Sequence, residues 1–245
     1  MKSLAVVILA AGKGTRMKSE LPKVFHEILG EPMLTYVMKT VEKLAPRKTL
    51  LVVGHMRELI MDYYKKLPVE FVVQDQQQGT GHAVMMAEPA LKDFDGTVMV
   101  LAGDVPLISE KTLRRLVEFH EEKGAAVTDL TAILGDAGNY GRVIRQDSGE
   151  ILKIVEKKDA SLEELKIREI NTGTFCFDSR VLFSALREVR AENAQKEYYL
   201  TDTVEIIRRR GLPAFALPTD HPSETLGINT KDELVEIEKR LLKHA

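Results

Sequence analysis

Short apolar runs at residues 4–9, 49–53, 70–73 and 97–101 alternate with longer stretches at 33–44, 56–66 and 82–91, in which apolar residues recur every three to four positions. The runs have strand length and almost no polar positions, which predicts strands covered on both faces, as in a parallel sheet. The stretches between them predict amphipathic helices, and strict strand–helix alternation predicts a doubly wound α/β sheet. A further helix is predicted at 111–122. The pattern then changes: 127–134, 142–145, 151–155 and 171–177 predict strands separated by Gly and Asp turns, while 180–190, 202–209 and 231–242 predict helices. Asn229 or Thr230 is the expected N-cap of the last helix. In open α/β sheets ligands bind outside the carboxyl ends of the strands, so the turns after Leu9, Val73 and Leu101 are where a site is expected.

Composition narrows the function classes. Of 245 residues, 35 are Lys or Arg and 37 Asp or Glu, so no global field draws the chain to nucleic acid or anionic lipid. Any polyanion must be met by local groups. No apolar run reaches the roughly 18 residues of a membrane span, and no signal-peptide pattern opens the chain; the expected location is cytoplasmic. The one cysteine, Cys176, lies among apolar residues and is expected to be a buried thiol. Six histidines show no HExxH pattern, which leaves metal and triad roles unassigned to them.

Candidate chemistry begins at residues 9–17, LAAGKGTRM, which follow the first predicted strand. Glycine lets backbone amides approach a phosphate and form an anion-binding concavity. The loop is neither a Walker A loop nor GxGxxG; its distinguishing feature is that Arg16 and, past the turn at 19–22, Lys23 add two cations. A glycine turn with solvated basic residues is the alternative. In LAGDVP, residues 101–106, Asp104 stands at the carboxyl end of a strand, where it can hold a divalent ion that bridges phosphate oxygens or can cap the following turn. Gln74 offers an amide donor and acceptor that match the edge of uracil or thymine. Gly79, Thr80 and Gly81 either bring backbone amides to the base and sugar or form a turn with Thr80 as N-cap. Tyr140, Gly141, Arg142, Glu156, Asn171, Thr172 and Gly173 sit at the ends of second-half strands and are candidates to grip sugar hydroxyls if they converge.

Taken together, LAAGKGTRM, LPKV at 21–24, QGTGHA at 78–83, GDVPL at 103–107, YGR, VEKKDA, EINTG, EYYLTD and GIN occur in the order in which they stand in the N-acetylglucosamine-1-phosphate uridylyltransferases, the pyrophosphorylase half of a bifunctional bacterial enzyme, and the chain resembles that family over nearly its whole length. The resemblance implies a Rossmann-like nucleotide-diphospho-sugar transferase fold, a mostly parallel mixed sheet with helices on both faces and a small mixed β subdomain. It divides the span 1–245 into a nucleotide-binding part to about residue 110, a sugar-binding part to about 228, and a C-terminal helix that returns to the core. It implies UTP and N-acetylglucosamine-1-phosphate as substrates and Mg²⁺ as cofactor. Leu9, Ala10, Ala11 and Gly12 would contact the nucleotide, with Arg16 and Lys23 beside its phosphates; Gln74, Gly79 and Thr80 would hold the uridine; Ala102 and Gly103 would border the site; Asp104 and Asn229 would bind Mg²⁺; Gly141, Glu156 and Asn171 would hold the N-acetylated sugar. Ala102 stands where some relatives carry a residue as large as tyrosine, which implies extra room. The repeat domain with acetyltransferase activity would begin where this sequence stops, and no such activity is assigned. A uridylyl- or thymidylyltransferase for glucose-1-phosphate and a non-catalytic nucleotide-sugar sensor are the alternatives. Oligomeric state is not specified by any of these features.

Overall fold

A computed structural model describes residues 2–244, so the first and last positions of the predicted span 1–245 lie outside the described residues. In chain order the strands are β1 (Leu4–Ala10), β2 (Glu27–Ile28), β3 (Glu31–Pro32), β4 (Lys48–Val53), β5 (Glu70–Val73), β6 (Thr97–Ala102), β7 (Val127–Ile133), β8 (Arg142–Arg145), β9 (Ile151–Val155), β10 (Glu169–Asp178) and β11 (Ala214–Pro218). The helices are α1 (Met33–Lys43), α2 (Arg57–Tyr64), α3 (Thr80–Met85), α4 (Glu88–Leu91), α5 (Glu110–Glu122), α6 (Ser179–Leu186), α7 (Asp202–Arg209) and α8 (Lys231–His244).

The main sheet runs β11-β7-β10-β6-β1-β4-β5. β1 pairs in parallel with β4 and β6, β4 with β5, and β7 with β11, whereas β10 runs antiparallel to both β6 and β7. β8 and β9 form an antiparallel pair that leaves the sheet through a single bridge, Ile170 to Arg142. The expected mostly parallel sheet and the mixed second half are both present. Side-chain alternation along β1 shows why its run is apolar throughout. Ala5 and Val7 face a core shared with α3, α4, α6 and α7, while Val6, Ile8 and Ala10 face a second core under α1, α2 and α5. A strand buried on both faces has no position for a polar residue.

Three departures from the predicted elements have local causes. The helix expected at 82–91 is two short helices, because Pro89 at the start of α4 has no N–H and its ring clashes with a preceding turn. Leu29 (φ 50°) and Gly30 (φ 84°) close a two-residue hairpin between β2 and β3, a turn that needs positive φ at both positions. β11 was not predicted; it is an edge strand with two alanines and a terminal proline, a composition without a strand pattern. At α8, Thr230 Oγ1 accepts from Glu233 N–H, and the Glu233 carboxylate accepts from Thr230 N–H, so Thr230 and not Asn229 is the cap.

Candidate active site

A cleft of about 590 Å³ opens at the carboxyl ends of β1, β5 and β6, a size within the range of ligand sites. Leu9, Ala10, Ala11, Gly12, Arg16, Lys23, Gln74, Gly79, Thr80, Ala102, Asp104 and Asn229 all line it. Of the nucleotide-side candidates, Gly81 and Gly103 are absent from its walls. Gly103 is buried and donates to the Leu9 carbonyl at 2.9 Å, so it seats the turn after β6 against the end of β1.

The phosphate-type loop is shaped around a lysine. Gly14 has φ 63°, and a Cβ there would stand 2.3 Å from Lys23 Cβ. Glycine is needed at this point both for the backbone and for the approach of the lysine stem. Lys23 then reaches across to Asp104, with which it forms a close ion pair, and donates to Asn229 Oδ1 at 2.6 Å. Arg16 donates to the same Asn229 oxygen at 2.8 Å. Four residues from three distant parts of the sequence thus meet through one carboxylate and one amide oxygen. Asp104 does not cap its own turn; its backbone carbonyl accepts from Ile228 N–H at 3.0 Å, which brings the 227–229 segment beside it.

Sequence reasoning gave the 74–81 segment a ligand-contacting role, and its backbone has a second one. Gly81 donates to the Tyr198 carbonyl at 2.8 Å, Tyr198 donates to the Gln78 carbonyl at 2.8 Å, and the Thr80 hydroxyl accepts from Leu200 N–H at 3.2 Å. Thr80 is therefore not the N-cap of α3; it is its first residue, and Gly79 with φ 107° precedes it. These bonds strap the turn after β5 to the segment between α6 and α7. The strap delivers Gln195 and Glu197 to the cleft wall; Glu197 opens the EYYLTD motif, whereas Gln195 belongs to no motif. Gln74 is 3% exposed, and its amide nitrogen lies 3.1 Å from the Gly79 carbonyl and 2.9 Å from His82 Nδ1. Burial lowers the His82 pKa, which favours the neutral ring, and in the tautomer protonated on Nε2 its Nδ1 accepts this bond. With its donor so engaged, Gln74 has its carbonyl oxygen left to offer the cleft.

Gly141, Glu156 and Asn171 do not line that cleft; they converge beside it. Asn171 N–H donates to the Gly141 carbonyl at 3.0 Å, and the Glu156 carboxylate is 3.5 Å from where a Gly141 Cβ would be. Glu156 accepts from the Thr201 hydroxyl at 3.2 Å, and burial raises its pKa. Tyr140 links the two clusters, because its hydroxyl accepts from Gly227 N–H at 3.0 Å and Gly227 packs against Asp104. Three neighbouring candidates are structural instead. The Arg142 guanidinium is buried and donates to the carbonyls of Gly138 and Tyr140; Thr172 is buried and donates to Leu130; Gly173, with φ 80°, makes the bulge in β10. Cys176 is fully buried, and burial raises its thiol pKa, in line with an inert core residue.

The donor set suits a hard divalent cation. Mg²⁺ takes oxygen ligands and usually keeps only one or two from protein. The Asp104 carboxylate and Asn229 carbonyl are such a pair, and a cationic ammonium already bridges them. Among the described residues no three His, Cys, Asp or Glu side chains cluster as an all-protein metal cage. Among them, too, no helix is long and apolar enough to cross a membrane.

The nucleotidyl transferase family model matches residues 5–221. The chain belongs to the nucleotidyl transferase family. Curated relatives extend the match: it is 49% identical over 243 residues to the bifunctional protein GlmU of Shouchella clausii and 50% identical over 238 residues to that of Pelotomaculum thermopropionicum. These alignments take in 99% and 97% of the chain but only 53% and 52% of the relatives, so the chain spans about half the length of the curated relatives it matches. Among solved structures, a UDP-glucose pyrophosphorylase complexed with UDP-glucose superposes with a TM-score of 0.78 over 99% of this chain and 100% of its own, at 18% identity. The shared nucleotidyltransferase fold is the expected nucleotide-diphospho-sugar transferase architecture.

Proposed function

We propose that this nucleotidyltransferase moves a uridylyl group from UTP to N-acetylglucosamine-1-phosphate, with release of pyrophosphate. The observation that carries this reading is the meeting of Arg16, Lys23, Asp104 and Asn229 in the wall of a cleft that the glycine loop also lines. The order of motifs from LAAGKGTRM to GIN, and the relatives at about half identity, support the choice of base and sugar.

A sugar-1-phosphate is largely dianionic at neutral pH, since the second phosphate pKa is about 6, so its attacking oxygen needs no general base. What the reaction needs is alignment of two anions and relief of their repulsion. The loop amides and Ala10–Gly12 receive the triphosphate, and Lys23 and Arg16 neutralise its charge. Asp104 and Asn229 would hold Mg²⁺, which when bound supplies Lewis-acid stabilisation of the phosphate oxygens. Gln74 with the strapped turn at Gly79 and Thr80 holds the uracil, while Gly141, Glu156 and Asn171 take the sugar in the adjoining cluster. In this reading residues to about 110 are the nucleotide-binding part, 111–228 the sugar-binding part, and α8 brings Asn229 back to the site. Dependence on UTP places the reaction in the cytoplasm, where nucleoside triphosphates are made.

The test is pyrophosphate release with UTP, dTTP and CTP, each paired with N-acetylglucosamine-1-phosphate, glucose-1-phosphate and N-acetylgalactosamine-1-phosphate. UTP with N-acetylglucosamine-1-phosphate is expected to be the best pair in kcat/KM. Preference for glucose-1-phosphate overturns the acceptor, and UTP binding without pyrophosphate release from any pair overturns the enzyme reading.

A further inference from the structure

The two oxygens assigned to a divalent cation are both taken by the protein's own ammonium. Lys23 Nζ bridges the Asp104 carboxylate and Asn229 Oδ1, and Arg16 adds a second cation on the same amide oxygen. Mg²⁺ would need those oxygens at about 2.0–2.1 Å. An ammonium left in hydrogen-bond contact with them would face a doubly charged ion at close range, in a corner where the Lys23 and Asp104 side chains are only 14% and 21% exposed and solvent screens little. Ion and ammonium exclude each other there.

Lys23 has one other direction in which to place its charge. Its stem is fixed beside Gly14, inside the glycine loop, so the distal methylenes alone decide whether the charge points at Asp104 or into the loop where phosphates would lie. We propose that Lys23 is a displaceable counter-ion: it keeps the Asp104–Asn229 pair closed to divalent cations until triphosphate draws the ammonium into the loop, so that cation and nucleotide enter together. This rests on reading the site as one for metal-assisted nucleotidyl transfer. Its effect is to keep the carboxylate neutralised in the resting protein and to couple metal affinity to the presence of nucleotide. Population arithmetic sets the size: if the pair is open about 1–10% of the time, apparent metal affinity is reduced by the same fraction, about ten- to a hundredfold.

The test uses Mn²⁺ alone, titrated by electron paramagnetic resonance against the full chain without nucleotide. Lys23→Met is expected to bind one Mn²⁺ about ten- to a hundredfold tighter than the wild type, and the added Asp104→Asn change is expected to abolish that gain. Equal or weaker Mn²⁺ binding by a folded Lys23→Met, or a gain that survives Asp104→Asn, overturns the proposal. Should Lys23→Met not fold, ¹⁵N-lysine spectra of the wild type serve instead: one ammonium signal with slowed proton exchange is expected to shift when UTP is added without metal, and an unmoved signal counts against the idea. The Mn²⁺ comparison does not depend on base or sugar, so failure of the pyrophosphate assay and failure of this proposal are separable.

Discussion

The side of the molecule proposed to take the nucleotide and the side proposed to take the sugar treat buried carboxylates in opposite ways. On the nucleotide side Asp104 is half-buried and directly paired with Lys23, so its charge is balanced. On the sugar side acids gather without equivalent cations. Asp129 on β7 is fully buried, and among the described residues neither of its oxygens has a hydrogen-bond partner; desolvation first, then the nearby Glu169, holds its pKa well above the usual carboxylate range. Glu156 is raised by burial, and Asp202 is pushed up to about 6 by burial and by Glu156. Arg145 is committed to Glu169. In one region a direct counter-ion balances the acid; in the other, burial raises the pKa of Asp129, Glu156 and Asp202. A site that receives a triphosphate needs free cations to redeploy, whereas a site that binds a sugar through hydroxyls gains from carboxyl groups that accept or donate hydrogen bonds.

The contrast can be broken at its strongest point first. Asp104→Ala should lower turnover by at least about 10²–10³-fold, the scale of losing a preorganised electrostatic contact, while circular dichroism still shows a cooperative melt; near-normal activity in Mg²⁺ would remove Asp104 from the reaction. Gly79→Ala tests the strap that joins the two sides. Its Cβ would meet the Tyr198 carbonyl at 2.6 Å at a φ of 107°, so unfolding in urea should show a loss of about 2–4 kcal/mol. A loss below about 0.5 kcal/mol, the ordinary scale of surface changes, would mean that the strap yields freely.

The side with the raised carboxyl pKa values is read through pH. A carboxyl whose pKa is raised by folding binds more protons in the native state than in the unfolded one, so stability falls as pH rises above the unfolded value of 3.8 and stops falling above the folded value. Asp129→Asn should flatten that part of the profile, by up to about 1.4 kcal/mol for each pH unit in the window, and should benefit the protein more at pH 8 than at pH 5. Parallel stability profiles for the two proteins would show Asp129 ionised in the fold or paired by some rearrangement. The smallest effect belongs to α8: Thr230→Ala removes the cap that orients the helix behind Asn229 and should cost about 1 kcal/mol, visible as a lower melting temperature.

The two sides also differ in how far the sequence disclosed them. The glycine loop, Asp104 and Gln74 follow directly from apolar runs, because a strand buried on both faces ends where its polar residues begin. The limits of β8, β9 and α7 coincide with those predicted. Arg142, Thr172 and Gly173 have the same residue types as sugar-gripping groups, yet the fold spends them on a turn, a backbone carbonyl and a bulge. Composition does not tell a buried donor aimed at a ligand from one aimed at a carbonyl. Gln195 carries no signal, and EYYLTD does not say that its Glu197 faces the cleft: both reach it because backbone bonds at Gly81 and Tyr198 carry their segment there. The Lys23–Asn229 contact spans 206 positions, and no periodicity reports such a distance.

That separation has a consequence for how the protein is made. A ribosome adding about 5–20 residues per second needs roughly 10–40 s to pass from Lys23 to Asn229. Through that interval the nascent chain carries its glycine loop and, from midway, its aspartate, but lacks the amide oxygen that joins them. The corner of Arg16, Lys23, Asp104 and Asn229 therefore cannot close until Asn229 has been made, and a chain that stalls before that residue displays the glycine loop without the amide oxygen that joins it to Asp104.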